Sequence, residues 1–305
     1  MISRLTRPSG WTCLTSTTSE PVPRRAATRA ARAVPPALGT PPLLIAHRGG
    51  AGLAPENTLA GFQSASRDWA ADMVELDVRA TADGECVVLH DPTVDRTTDG
   101  SGSVAQLTLA QLRRLDAGYR FTPDGGNSFP FRGRGIRVPT FDEVLTELPE
   151  LRITVEVKIG TAQAGLFSAI ARNRAGDRVI AAGMHDADRT SFATYPGAHS
   201  ASSEQLRRFF SAHRLHLAGL ARLPADVVQM CETWEGRRLL TPRLVRDLHR
   251  QGAHVHVWTV NEETDMERLL DWDVDGIMSD FPDRLARVLH QRTGRPLPPA
   301  LRAAR

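Results

Sequence analysis

The chain has 305 residues, 41% of them hydrophobic and 24% charged, which suits a soluble globular protein with a large core. No apolar run approaches the ~18 residues needed to cross a bilayer, and three scattered cysteines (Cys13, Cys86, Cys231) exclude a disulfide framework or a thiolate metal site. The formal charge of +3 lies in the tails: residues 1–42 hold six arginines against Glu20 and residues 292–305 hold four arginines and no acid, so the body is net negative and offers no basic surface for nucleic acid.

Residues 1–41 are rich in Ser, Thr, Pro, Ala and Arg without period-2 or period-3.6 patterning, and are expected to form a disordered tail. Arg4 and Arg7 are followed by no apolar stretch, so no secretion signal is expected, and the cysteine usage points to a reducing, cytoplasmic setting. From residue 42 to about 290 strand-like and helix-like segments alternate. LLIAH (43–47) is an apolar run ending in polar residues, and 57–70 has a helical apolar period through Leu59, Phe62, Ala65 and Trp69. MVELDVR (73–79) reads as a strand. Only TADGE separates it from the apolar residues 86–89, too short for a parallel crossover, so these should return as an antiparallel hairpin partner.

Residues 91–140 are Gly-rich and long for a connection inside a compact domain, which predicts an insertion lying over the mouth of the site. TVEVKIG (154–160) follows, with Thr154, Glu156 and Lys158 on one face and Val155, Val157 and Ile159 on the other. Lys158 is the only lysine in the chain. Further strands are expected at 178–183, 198–202, 226–230, 254–260 and 275–280, with helices such as 241–252 and 263–273 between them, and a flexible tail from 291 to 305. Leaving out the hairpin strand, eight parallel strands in about 250 residues give the dimensions of a TIM (β/α)8 barrel. A doubly wound sheet is the alternative, but no G-x-G-x-x-G follows any strand.

In such a barrel the functional residues sit at the C-terminal strand ends. Those ends carry His47-Arg48-Gly49, then Glu75 and Asp77 two apart, His90-Asp91 on the hairpin, Glu156 and Lys158, Trp258 with Thr259 and Asn261, and Ser279-Asp280. Glu75, Asp77 and Glu156 are hard oxygen ligands suited to Mg²⁺ or Ca²⁺, and three carboxylates in one pocket repel unless a cation lies among them. Arg48 and Lys158 supply charge for an anion, Arg as a fork and Lys as a point. Together with His47 and His90 this is a set suited to phosphoryl transfer.

AHRGGAGLAPENTLAGF, VELDVRATADGECVVLHDPTVDRTTDGSG, VPTFDEVL, VEVK, VHVWTVN and DGIMSDFPDRL, in this order between about residues 43 and 290, resemble the glycerophosphodiester phosphodiesterase family. The resemblance implies a TIM barrel of the phospholipase C-like type with a small insertion near 91–140. It also implies divalent-cation-dependent hydrolysis of a small-molecule glycerophosphodiester to glycerol 3-phosphate and an alcohol. Carried over residue by residue, it makes His47 and His90 the acid/base pair, Arg48 and Lys158 the phosphate ligands, Glu75, Asp77 and Glu156 the metal ligands, and Trp258 a wall of the glycerol pocket. Glu56 and Asn57 would brace the first loop, with Asn57 also a candidate helix N-cap, and Asp91 and Asp280 would support the site. Likeness to phospholipase C barrels further implies that the glycerol 2-hydroxyl is the nucleophile, giving a cyclic phosphate that water then opens. The alternative is a lysophospholipase D-like enzyme working at a membrane surface, for which Phe121, Phe129 and Phe131 of the insertion would have to provide an apolar groove.

Overall fold

The computed structural model describes residues 34–303. Its strands are β1 (Leu43–Ala46), β2 (Met73–Ala80), β3 (Cys86–Val88), β4 (Arg152–Val157), β5 (Val179–Ala182), β6 (Ala198–His199), β7 (Val227–Met230), β8 (Thr233–Trp234), β9 (Arg237–Arg238), β10 (His254–Val257) and β11 (Gly276–Ser279). Its helices are α1 (Leu59–Arg67), α2 (Leu109–Leu112), α3 (Phe141–Glu147), α4 (Gln163–Arg172), α5 (Ser203–Arg214), α6 (Pro242–Arg250), α7 (Glu263–Asp271), α8 (Pro282–Thr293) and α9 (Pro299–Ala303).

Eight strands run parallel in the order β6-β5-β4-β2-β1-β11-β10-β7, and a single parallel bridge between Ser200 and Val227 joins the two ends into a nearly closed barrel. β3 pairs antiparallel with β2, Val78 opposite Val88, as the short connection between them requires. β8 and β9 make a small separate hairpin after β7 that the sequence reading did not anticipate. Period-2 alternation sorts the strand side chains. Leu43 and Ile45 of β1 join Met73, Ile180, Ala198, Val227 and Met278 in the barrel interior, whereas Leu44 and Ala46 face the helices. Phe62 of α1 and Phe141 of α3 are fully buried against the outside of the sheet, each contributing about 2–3 kcal/mol.

Three strands start after an aspartate whose carboxylate accepts an amide of the neighbouring strand. Asp72 takes Leu44 N (2.8 Å), Asp226 takes His199 N (3.2 Å) and Asp275 takes Val255 N (2.7 Å), which fixes register at the N-terminal rim. The expected domain boundary at residue 42 falls earlier. Pro36–Leu38 is a 3-10 turn, and Ala37 and Leu38 are buried in the barrel floor, because two apolar side chains find an apolar surface there. The rest of the predicted tail, residues 1–33, lies outside the described residues. At the other end, Arg295 forks onto Asp72 at 2.6 and 2.8 Å, so the segment around Arg295 is held against the turn before β2 rather than hanging free. Likewise the insertion does not roof the mouth. Val94, Val104, Leu112, Ala117 and Val138 build a small core against Val87 and Leu89, because its few apolar residues are enough to cover β3, and none of residues 91–140 lines the central cavity.

One interior residue gives a stability prediction. His256 of β10 is fully buried beside Gly276, where an added Cβ would come within 2.9 Å of its ring, and neither ring nitrogen has a hydrogen-bond partner. Burial, with a smaller contribution from His254, pushes its pKa down to about 3. The unfolded chain takes up this proton near pH 6.5 while the folded chain does not, so His256 should cost about 2 kcal/mol of stability between pH 7 and pH 5. Urea unfolding at the two pH values should show that loss, and His256→Gln should lack its share of it. Identical pH slopes for the two proteins would mean that the imidazole is protonated inside the barrel.

Candidate active site

The strand ends converge as period-2 geometry requires. β1 stops at Ala46 and the chain turns through left-handed backbone at Arg48 (φ 51°), Gly49 (φ 85°) and Gly50 (φ 88°). A Cβ on Gly49 would meet the Phe62 ring at 2.8 Å, so the H-R-G-G stretch needs glycine there. The turn presents the Arg48 amide to Glu75 Oε2 (3.1 Å) and its guanidinium to Glu56, with Nη1 donating at 3.0 Å. Arg48 Nε lies 3.5 Å from Asp77 Oδ2, and this buried donor makes no hydrogen bond.

Glu75 and Asp77 extend from β2, and Glu156 from β4 beside them, Asp77 lying opposite Glu156 in the parallel register. Each of the three brings one oxygen within 4.8 Å of the other two, and Glu75 and Asp77 are buried. Lys158 Nζ stands 3.0 Å from Asp77 and 2.9 Å from Glu156. Burial, then the charge of Asp77, raises the pKa of Glu75. Burial pushes Asp77 the same way, but Lys158 and Arg48 outweigh it and its pKa is lowered. On Lys158 burial is in turn outweighed by the Asp77 and Glu156 charges, so the ammonium stays charged. An all-oxygen set of three acids at this spacing fits a hard divalent cation.

Each histidine has one nitrogen held by an aspartate. His47 Nδ1 lies 2.7 Å from Asp280 Oδ1, and His90 Nδ1 lies 2.7 Å from Asp91 Oδ1. His47 Nε2 sits 3.8 Å from Glu75. Burial disfavours the imidazolium at His47, but the Asp280 hydrogen bond and the carboxylate charges of Glu75 and Asp280 prevail and raise its pKa. Asp280 is itself held by Asn261, whose side chain donates to Oδ2 at 2.9 Å while its oxygen accepts from the Asp280 amide at 3.0 Å.

His47, Arg48, Glu75, Asp77, His90, Glu156, Lys158 and Trp258, all marked out by sequence, line one cavity of about 230 Å³. The opposite wall was not foreseen: Met184 after β5, Ser200 and Ser202 after β6, Leu206 of α5 and Gln229 of β7, the last donating to Thr154 Oγ1 at 2.8 Å. No motif marks these residues. Asn57 does not cap α1. Thr58 does, its hydroxyl accepting from Gly61 N at 3.2 Å, because Asn57 is in left-handed backbone (φ 56°) and spends its amide on Asp77 (2.9 Å). Arg96 was also missed. It joins Glu56 to Asp91, a contact set by loop folding that leaves no trace in local sequence.

The Glycerophosphoryl diester phosphodiesterase family model matches residues 47–284. The chain is 33% identical over 259 residues to the glycerophosphodiester phosphodiesterase of Caldanaerobacter subterraneus, covering 82% of this chain and 98% of that one. It is 29% identical to a glycerophosphodiester phosphodiesterase of Bacillus subtilis, over 81% of this chain and 86% of that one. Among solved structures, the fold is similar to glycerophosphodiester phosphodiesterase from Agrobacterium tumefaciens, with a TM-score of 0.65 and 25% identity over 80% of this chain and 98% of that one. An Oleispira antarctica phosphodiesterase in complex with the product sn-glycerol-3-phosphate shares the fold at a TM-score of 0.64 and 24% identity, over 80% of this chain and 95% of that one.

Proposed function

The chain belongs to the glycerophosphodiester phosphodiesterase family, and from that premise we propose that His47 and His90 are the proton-transfer pair with which it hydrolyses glycerophosphodiesters to glycerol 3-phosphate and an alcohol. The observation that carries the assignment is the convergence of two aspartate-held imidazoles, two cations and three carboxylates on one cavity of about 230 Å³.

With Nδ1 fixed by Asp280 and Asp91, each histidine keeps Nε2 for substrate. One accepts the proton of the glycerol 2-hydroxyl as that oxygen attacks phosphorus, and the other donates a proton to the departing alkoxide. With roles exchanged, water then opens the cyclic phosphate. Arg48 and Lys158, both on the cavity wall, hold the phosphoryl oxygens as charge builds on them. Glu75, Asp77 and Glu156 would hold Mg²⁺ or Ca²⁺, which supplies charge neutralisation and a lowered hydroxyl pKa. Trp258 shapes the glycerol side.

Among the described residues no helix is long and apolar enough to cross a membrane. The membrane-surface alternative loses its support in the insertion. Phe121 and Phe131 pack edge to face at 5.3 Å, and Phe129 lies under the Arg132 guanidinium, so the three rings do not come together as one apolar groove. The negative body favours a small-molecule substrate over nucleic acid, and the free, buried Cys86 suits a reducing cytoplasm.

The test is release of glycerol 3-phosphate from glycerophosphocholine, -ethanolamine, -glycerol and -inositol. His47→Ala and His90→Ala should each lower kcat by roughly 10²-fold or more, the usual worth of a positioned proton-transfer group, at unchanged Tm. A variant that keeps wild-type kcat would return that histidine to a structural role.

A further inference from the structure

Arg96, from the insertion, makes four hydrogen bonds to two acids. Its Nε and Nη2 donate to Asp91 at 2.7 and 3.1 Å, and its Nη1 and Nη2 donate to Glu56 at 2.6 and 2.8 Å. Both acids are already engaged with the site: Asp91 holds His90 Nδ1 at 2.7 Å, and Glu56 accepts from Arg48 Nη1 at 3.0 Å. The five side chains therefore form one continuous line, His90-Asp91-Arg96-Glu56-Arg48. Arg96 does not line the cavity, so it reaches substrate only through these partners.

We propose that Arg96 is a positioning residue that sets the phosphate-binding Arg48 and the proton-transferring His90 at a fixed spacing, and keeps Arg48 free for phosphate by sharing the charge of Glu56. The inference rests on the roles given above to Arg48 and His90. Its physical basis is competition. Glu56 Oε1 accepts from both Arg48 and Arg96, and a carboxylate shared between two guanidiniums holds each less tightly than it would hold one. Without Arg96, the whole Glu56 charge would fall on Arg48 and draw it away from an incoming phosphate, and Asp91 would swing with nothing behind it. A planar fork is needed to span two carboxylates; an ammonium is a single point. The contrasting role for Arg96 is a tether that merely pins the insertion to the loop before α1. A tether predicts loss of stability and no dependence on the Glu56 charge.

Glycerol 3-phosphate release and Tm are measured for wild type, Arg96→Ala, Arg96→Lys, Glu56→Gln and the Arg96→Ala/Glu56→Gln double variant. Arg96→Ala should lower kcat/KM by roughly 10-fold to 100-fold, the range seen when partners behind a site are removed, with both a raised KM and a lowered kcat. Arg96→Lys should recover only part of the loss. The decisive arm is the double variant: removing the Glu56 charge should restore activity several-fold over Arg96→Ala alone. If Arg96→Ala does not fold, Arg96→Gln replaces it in both arms. A kcat/KM within about twofold of wild type, or a loss that Glu56→Gln leaves unchanged, overturns the proposal. Wild-type protein that releases no glycerol 3-phosphate would instead overturn the functional reading beneath it.

Discussion

Exhaustive chelation should abolish glycerol 3-phosphate release, and Mg²⁺ or Ca²⁺ should restore it. The expectation follows from the charge balance at the mouth. Glu75, Asp77 and Glu156 bring oxygens within 4.8 Å of one another, yet the nearby cations are unevenly shared. Lys158 is within ion-pair distance of Asp77 and Glu156, and Arg48 approaches Asp77. Glu75 has only the Arg48 amide and His47 at 3.8 Å, and burial holds its pKa up. A dianion-like pocket that must also admit a negatively charged phosphodiester needs more positive charge than one Arg and one Lys provide. Glu75→Gln and Asp77→Asn should therefore weaken Mg²⁺ or Ca²⁺ binding by at least 10-fold in calorimetric titration, and activity should fall in parallel. Calorimetry separates loss of the ion from loss of the fold, because a folded variant without the binding heat shows the former alone. Full activity after exhaustive chelation would overturn the assignment of these three acids.

The residues that make up this charge balance were the most legible in the sequence, for a geometric reason. Side chains two apart on a strand share a face, so E-x-D and E-x-K each announce a convergent pair, and parallel pairing then brings Asp77 opposite Glu156. The hairpin strand at 86–88 was equally legible, since five intervening residues cannot support a crossover. What escaped depends on contacts between loops. Nothing local to Arg96 says that it will meet Glu56, forty positions earlier. Asn57 and Thr58 are both good capping types, and only the left-handed backbone at Asn57 decides between them. The Ser200, Ser202 and Met184 wall follows β5 and β6, strands of four and two residues, too short to show a face. The β8–β9 hairpin turns on Glu235-Gly236, a signal present in the sequence but flanked by only two residues on each side.

A glycerophosphodiester whose 2-hydroxyl is replaced by hydrogen should bind with little change in Kd and react at a small fraction of the normal rate. Each histidine has one nitrogen committed to an aspartate, which leaves a single nitrogen apiece for proton transfer. That is enough to deprotonate one oxygen and protonate another, provided the attacking oxygen is already in place. A hydroxyl next to the phosphoester is in place by covalent attachment, and intramolecular attack of this kind carries effective molarities of about 10⁵ M or more. A free water must be ordered in competition with bulk solvent and carries no such advantage. The 2-deoxy analogue keeps the phosphate for Arg48 and Lys158 and keeps the carbon skeleton for Trp258, so ground-state binding survives while the nucleophile is gone. With glycerophosphocholine and its 2-deoxy form, kcat should differ by at least about 10³-fold at similar Kd. A cyclic glycerol phosphate should also appear transiently when the natural substrate is quenched early. Comparable kcat values for the two substrates would mean that water attacks phosphorus directly. The two histidines would then keep their places beside Asp280 and Asp91, with one activating that water and the other protonating the leaving alcohol in a single step.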